Sequence, residues 1–196
     1  YGTLDVQGQA SNRVVFTSYK DDSIDEDDSN GDGPSIGSPG DWGYLDIRNG
    51  NNTLEHCLIR YGGSSHAGVR AYQCSPTIRN NTIEYSIEHG VSADQMTGGT
   101  ISGNTIRNCG NSSGDHGIYL DESSPAISGN TIQNSYDTGL FVDDRSSPTI
   151  IGNTITASGK YPIYFHGSPV ASVSGNQLEG NCYNAFGFDG SLKANT

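Results

Sequence analysis

The chain has 196 residues, of which only 32% are hydrophobic, 27 are glycine, and 22 are acidic against 10 basic. A net charge of −12 sets it against nucleic acid and anionic membranes, and suits cations, neutral glycans or partners with basic patches. No run of 18 apolar residues exists, which excludes a membrane-spanning helix. The length fits a single domain, taken as residues 1–196. The first residue is Tyr1, with neither Met nor an apolar leader, so the chain reads as a mature or excised segment of a longer precursor.

Residues 1–20, YGTLDVQGQASNRVVFTSYK, read as two strands around a turn, the first coil of the pattern described below. An acidic insertion follows, spanning 21–41. Its residues Asp21, Asp22, Asp25, Glu26, Asp27, Asp28 and Asp32 stand close together without a basic residue among them. Such a segment needs a counter-charge to be compact, because like charges a few Å apart repel. Asp28-Ser29-Asn30-Gly31-Asp32-Gly33 spells D-x-N-x-D-G, the opening half of a calcium loop. Side-chain oxygens at positions 1, 3 and 5 converge on the ion, and glycine at position 6 permits the turn. Position 12 is Pro39 rather than a bidentate Glu. The expected Ca2+ ligands are therefore Asp28, Asn30 and Asp32, completed by Asp41, Asp21 or Asp22. The competing reading is a solvated acidic loop.

From residue 51 the chain repeats itself. I-x-x-N-T-I occurs as IRNNTI (78–83), ISGNTI (101–106), ISGNTI (127–132) and IIGNTI (150–155), with a partial copy NNTL at 51–54 and a decayed VSGNQL at 173–178. Its asparagines are Asn52, Asn81, Asn104, Asn130, Asn153 and Asn176, spaced by 29, 23, 26, 23 and 23 residues. A period in the low twenties with small insertions is that of a solenoid. A second element recurs as GVSAD (90–94), GIYLD (117–121), GLFVD (139–143) and PIYFH (162–166). Its alternation predicts strands with Val91, Ala93, Ile118, Leu120, Leu140, Val142, Ile163 and Phe165 turned inward. Helical periodicity is absent. One coil per period, stacked on the next, predicts an all-β parallel β-helix of seven to eight coils of about 22–26 residues. The recurring Asn is expected to turn inward and bond to the same amide one coil away.

The stretch GIYLDESSPAISGNTIQNSYDTGLFVDDRSSPTIIGNTIT (117–156) resembles the right-handed parallel β-helix repeats of the pectate-lyase-like superfamily, and the similarity extends over roughly residues 41–190. The resemblance implies a right-handed solenoid and a secreted or cell-surface carbohydrate-active setting. It does not by itself assign an activity, because this scaffold carries catalysts, glycan binders, adhesins and filaments.

The outward positions of the second element form two predicted ladders. One is Arg70, Ser92, Tyr119, Phe141, Tyr164; the other is Tyr72, Asp94, Asp121, Asp143, His166, Asp189. Aromatic rings beside carboxylates suit a sugar, with rings on pyranose faces and carboxylates on hydroxyls or cations. The candidate ligand-binding face is Tyr119, Asp121, Phe141, Asp143, Tyr164 and His166. Three functions are thereby expected for an extracellular module. The first is non-catalytic polysaccharide binding in a calcium-stabilised adhesive surface structure. The second is a polysaccharide lyase or glycoside hydrolase using Asp121, Asp143 and His166, with Arg145 or His166 as base. Adjacent rungs put Asp121 and Asp143 about 5 Å apart, near the separation used by retaining glycosidases. The bland alternative is that each Asp caps a turn. His89 and His116, which precede the strand glycines, are assigned to a turn ladder. The third function is a homotypic filament: neither end shows a helical cap, and open solenoid ends invite end-to-end stacking. Cys57, Cys74, Cys109 and Cys182 have no metal-binding spacing and are either buried hydrophobes or members of one or two disulfides. The Asn-x-Ser/Thr sequons at Asn51, Asn80 and Asn111 read as chance matches in an Asn-rich repeat.

Overall fold

The structure is a computed structural model that describes residues 4–24, 28 and 30–190. Asp25, Glu26, Asp27 and Ser29 lie outside the described residues. Strands are the only regular elements among those described, and every pairing between named strands is parallel. They form sheets of seven, six and seven strands, in which each strand is followed in space by its counterpart one period later. The result is an all-β parallel solenoid of about six turns, fewer than the seven to eight expected. The shortfall lies in the last coil, which keeps Ser172–Ser174 and Gly187–Gly190 but has only an isolated bridge at Gln177 where the middle strand would stand.

The repeat maps directly onto the coil. In I-x-x-N-T-I the first isoleucine belongs to one short strand and the second to the next, as in Thr100–Ser102 and Thr105–Arg107. The asparagine between them makes the corner. Ile78, Ile101, Ile127 and Ile150 stack in register in one sheet, and Ile83, Ile106, Ile132 and Ile155 in another, all fully buried. Coils above and below cover these few side chains, so a core forms at 32% hydrophobic content. At the corner Asn81, Asn104, Asn130 and Asn153 each donate Nδ2 to the Oδ1 of the next asparagine, at 3.0, 3.0, 2.9 and 2.9 Å. Each also donates Nδ2 to a carbonyl of the preceding coil, so the buried amide is satisfied.

The acidic insertion joins Val14–Phe16 to Leu45–Arg48 and packs on the second coil. Trp42 donates Nε1 to the Arg60 carbonyl at 2.8 Å. The counter-charge comes from the solenoid: Arg60 Nε lies 3.4 Å from the buried Asp21 carboxylate and 3.7 Å from Glu84. All four cysteines are free; Cys57, Cys74 and Cys109 are buried in the core and Cys182 is exposed. No helix among the described residues is long and apolar enough to cross a membrane.

Candidate ligand-binding groove

The third sheet carries the site. Its strands run in spatial order Leu45–Arg48, Ala67–Tyr72, His89–Asp94, Ile118–Asp121, Leu140–Val142, Ile163–Gly167, Gly187–Gly190. The register pairs Arg70, Ser92, Tyr119, Phe141 and Tyr164 in sequence, and Tyr72, Asp94 and Asp121 likewise, as the alternation predicts. Towards the first coils the face is closed by its own ion pair, Arg70 Nε to Asp94 Oδ2 at 2.6 Å. Towards the last coils it opens into a groove of about 670 Å³.

Tyr119, Phe141, Asp143, Tyr164 and His166 line this groove; Asp121, the sixth residue of the predicted face, does not. Its carboxyl is raised above the ordinary range by burial first and then by the Asp143 charge. Arg145 is ion-paired with Glu122. The groove also holds residues that the sequence reading did not assign to it: His116, Asp137, Lys160, Tyr161, Ser113 and Gly114. Ser113 and Gly114 come from the ten-residue connection 108–117, against six residues in 134–139 and 157–162. The longer connection accounts for the 26-residue spacing between Asn104 and Asn130 and builds one wall. A signal for Asp137 and Lys160 does exist: they lie one coil period, 23 residues, apart.

The rings do not present open faces to a ligand. Tyr119 and Phe141 stack with centroids 5.7 Å apart, and Phe141 and Tyr164 at 5.3 Å with planes 10° from parallel. Rungs a coil apart place rings one over another along the solenoid axis, so each face meets the next ring and only edges and hydroxyls look into the groove. Beyond Tyr164 the stack ends on Gly187, where a Cβ would stand 2.2 Å from Tyr164 Cδ2. Tyr161 is tilted 51° from Tyr164 and stacks instead on Tyr183, with centroids 4.9 Å apart.

His89 and His116 extend the same stack, His89 on Tyr119 at 4.9 Å and His116 on Phe141 at 4.6 Å. They also stack on each other at 5.4 Å with planes 14° from parallel, so the histidine ladder expected from the sequence is present and runs on into the aromatic ladder. The His116 N–H donates to His89 Nδ1 at 3.1 Å, which leaves His89's ring proton on Nε2 in the neutral form. The His116 Nδ1 is buried with no hydrogen-bond partner among the described residues. Burial pushes His116 down to about 3, with neighbouring His89 adding to the effect, and burial pushes His89 down to about 4. Both rings are neutral at pH 7.

The polar groups of the groove come in fixed pairs. Lys160 Nζ donates to Asp137 Oδ2 at 2.7 Å, and the Gly114 N–H donates to the same oxygen at 3.0 Å. Burial alone would raise the Asp137 carboxyl, but Lys160 and these hydrogen bonds hold it below its usual value. Tyr119 donates its hydroxyl to Asp143 Oδ2 at 3.1 Å. Burial and the Asp143 charge raise that phenol well above its ordinary value. His166 Nδ1 bonds to Asp189 Oδ1 at 2.6 Å, and its Nε2 faces Asp143 Oδ1 at 3.9 Å.

The expected calcium ligands divide. Ligand oxygens of Asp22, Asp28 and Asp32 all lie within 4.8 Å of one another, a donor set of hard oxygens that fits calcium. Asp28 Oδ1 and Oδ2 accept the N–H groups of Gly31 and Gly33, and Asn30 Oδ1 accepts that of Asp32. Asp21 and Asp41 turn elsewhere. Asp21 accepts from Thr17 and Ser23 and faces Arg60, while Asp41 accepts from Ser18, Lys20 and the Ser38 N–H.

No curated protein and no solved structure matches the chain significantly. A family model described as the right handed beta helix region matches residues 44–195, and with its repeat, parallel sheets and stacked corners the chain belongs to that family.

Proposed function

We propose that this protein is an extracellular, calcium-stabilised β-helix module that binds polysaccharide along the third-sheet groove without cleaving it. One observation carries the reading: a groove of about 670 Å³ lies across successive coils, with fixed donors and acceptors and aromatic edges on one face. An extended polar polymer matches that shape better than a compact ligand does. Recognition would rest on hydrogen bonds from pre-paired groups such as Lys160–Asp137 and Tyr119–Asp143, and on Tyr161, rather than on ring faces. Pairing in advance lowers the ordering cost of binding. Asp22, Asp28 and Asp32, with Asn30, would hold the calcium ion and fasten the acidic insertion onto itself.

The test is co-sedimentation with a panel of neutral, amino and uronic-acid polysaccharides, with product release followed in parallel. The expected result is binding without products, weakened about tenfold or more by Tyr161→Ala, as for a central aromatic contact. Product release by wild type and not by Asp143→Ala would instead make the groove an active site. Concentration-dependent fibres in negative-stain micrographs, with no glycan bound, would favour the filament.

A further inference from the structure

The charges of the groove narrow its ligand, given the glycan-binding reading above. Three carboxylates line it, Asp137, Asp143 and Asp189, against one ammonium, Lys160. Lys160 is spent on Asp137, 2.7 Å away, so Asp143 and Asp189 remain without a lysine or arginine among the lining residues. The imidazole of His166 lies between them. Its Nδ1 is 2.6 Å from Asp189 Oδ1 and its Nε2 is 3.9 Å from Asp143 Oδ1. In the neutral ring that donates Nδ1–H to Asp189, Nε2 is an acceptor. Two acceptors, Nε2 and Asp143 Oδ1, then stand side by side in the groove lining, 3.9 Å apart. Asp143 accepts from the Tyr119 hydroxyl on Oδ2 and from the Asp144 N–H on Oδ1, which leaves Oδ1 a further lone pair. A donor with several protons and a positive charge would satisfy both acceptors; a carboxylate would add a third negative group.

A calcium ion bridging Asp143 and Asp189 to a uronate does not fit this arrangement. The two carboxylates approach different nitrogens of one ring and do not converge. Among the described residues the acidic group whose ligand atoms meet within 4.8 Å is Asp22, Asp28 and Asp32, in the insertion. We propose that the groove is selective for an amine-bearing polysaccharide, one containing free amino sugars, whose ammonium bridges Asp143 Oδ1 and His166 Nε2 from the open side of the groove. The Asp189–His166 hydrogen bond holds the imidazole in the accepting tautomer, and Tyr119 holds the Asp143 carboxylate.

The probes are a short glucosamine oligomer, its fully N-acetylated counterpart, and an oligogalacturonate with and without calcium. Each is titrated calorimetrically into the wild-type protein at physiological salt. The glucosamine oligomer is expected to bind at least about tenfold more tightly than the acetylated one, the scale of one charge-assisted hydrogen bond. Asp143→Asn should erase that preference. Glu179→Gln, which removes one negative charge from an exposed site outside the groove, should leave it in place. Equal or tighter binding of the acetylated oligomer overturns amine selection and leaves the groove as a neutral-glycan site. Tighter binding of the uronate, with calcium or without, overturns amine selection in favour of acidic glycans. An amine preference that falls equally in Asp143→Asn and Glu179→Gln reduces it to the attraction of a −12 chain for any cation and overturns the seat. If no oligomer binds, both amine selection and the glycan reading fail.

Discussion

The Cγ2 of Ile132 lies 2.5 Å from the point where a Cβ on Gly117 would stand. The same relation recurs one coil earlier between Gly90 and Ile106, at 2.4 Å, and one coil later between Gly139 and Ile155, at 2.3 Å. The glycine that opens GVSAD, GIYLD and GLFVD is thus the empty place into which the isoleucine of the next coil packs. Gly117→Ala should overpack the core at a cost of about 1–3 kcal/mol. For a chain of this size that is a fall in melting temperature of roughly 2–10 °C. Gly98→Ala is the control, since its Cβ would meet only Ser75 Oγ at an ordinary 3.5 Å. Equal melting temperatures for the two variants would refute the packing argument.

The asparagine corner should be as sensitive. Asn130 accepts from the side chain and backbone of Asn104 and donates to Asn153 and Ile101. Asn130→Ala leaves several of these buried groups unpaired, each worth about 1–3 kcal/mol. Asn176→Ala, at the half-buried end of the row, should cost clearly less. Chemical denaturation of the two variants measures the difference.

His89 and His116 make stability depend on pH. Their folded-state values, about 4 and about 3, lie below the ordinary 6.5, so the unfolded chain binds protons that the folded chain refuses. Stability is then fully present above about pH 6.5 and is lost as pH falls from there towards 4. The loss is about 1.4 kcal/mol per histidine for each pH unit while the folded ring stays neutral. His116→Phe keeps a ring against Phe141, removes the unpartnered Nδ1 and removes one proton site. Denaturation midpoints at pH 7 and pH 5 should differ less in this variant than in wild type. An unchanged difference would mean that His116 is more accessible to protons than its burial indicates.

Calcium at 1 mM should raise the melting temperature of wild type. A site with a dissociation constant near 10⁻⁴ M contributes about 1.4 kcal/mol at that concentration, roughly 2–5 °C for a chain of this length. Asp32→Asn should remove most of the rise, because Asp32 supplies one of three converging carboxylates. Asp41→Asn should lower the melting temperature equally with and without calcium, since its bonds run to Ser18, Lys20 and Ser38.

The solenoid was legible in the chain because its information is local and repeated. I-x-x-N-T-I specifies two strands and a corner within six residues, and every coil restates it, so strand identity, inward residues, the asparagine ladder and the order of Tyr119, Phe141 and Tyr164 all follow from spacing. The tertiary structure decided what the spacing could not carry. Stacking of rings a coil apart turned the aromatic faces onto one another, so the groove shows edges where faces were expected. The connection 108–117 raised a wall that brought Ser113 and Gly114 to the site, and the coil period set Lys160 against Asp137. Among three acidic candidates, Asp22 joined Asp28 and Asp32 because Asp21 met Arg60 and Asp41 met Lys20. A repeat encodes what neighbouring coils do to each other; the path of a non-repeating connection and the partner a charge finds depend on distant residues, which only folding brings within reach.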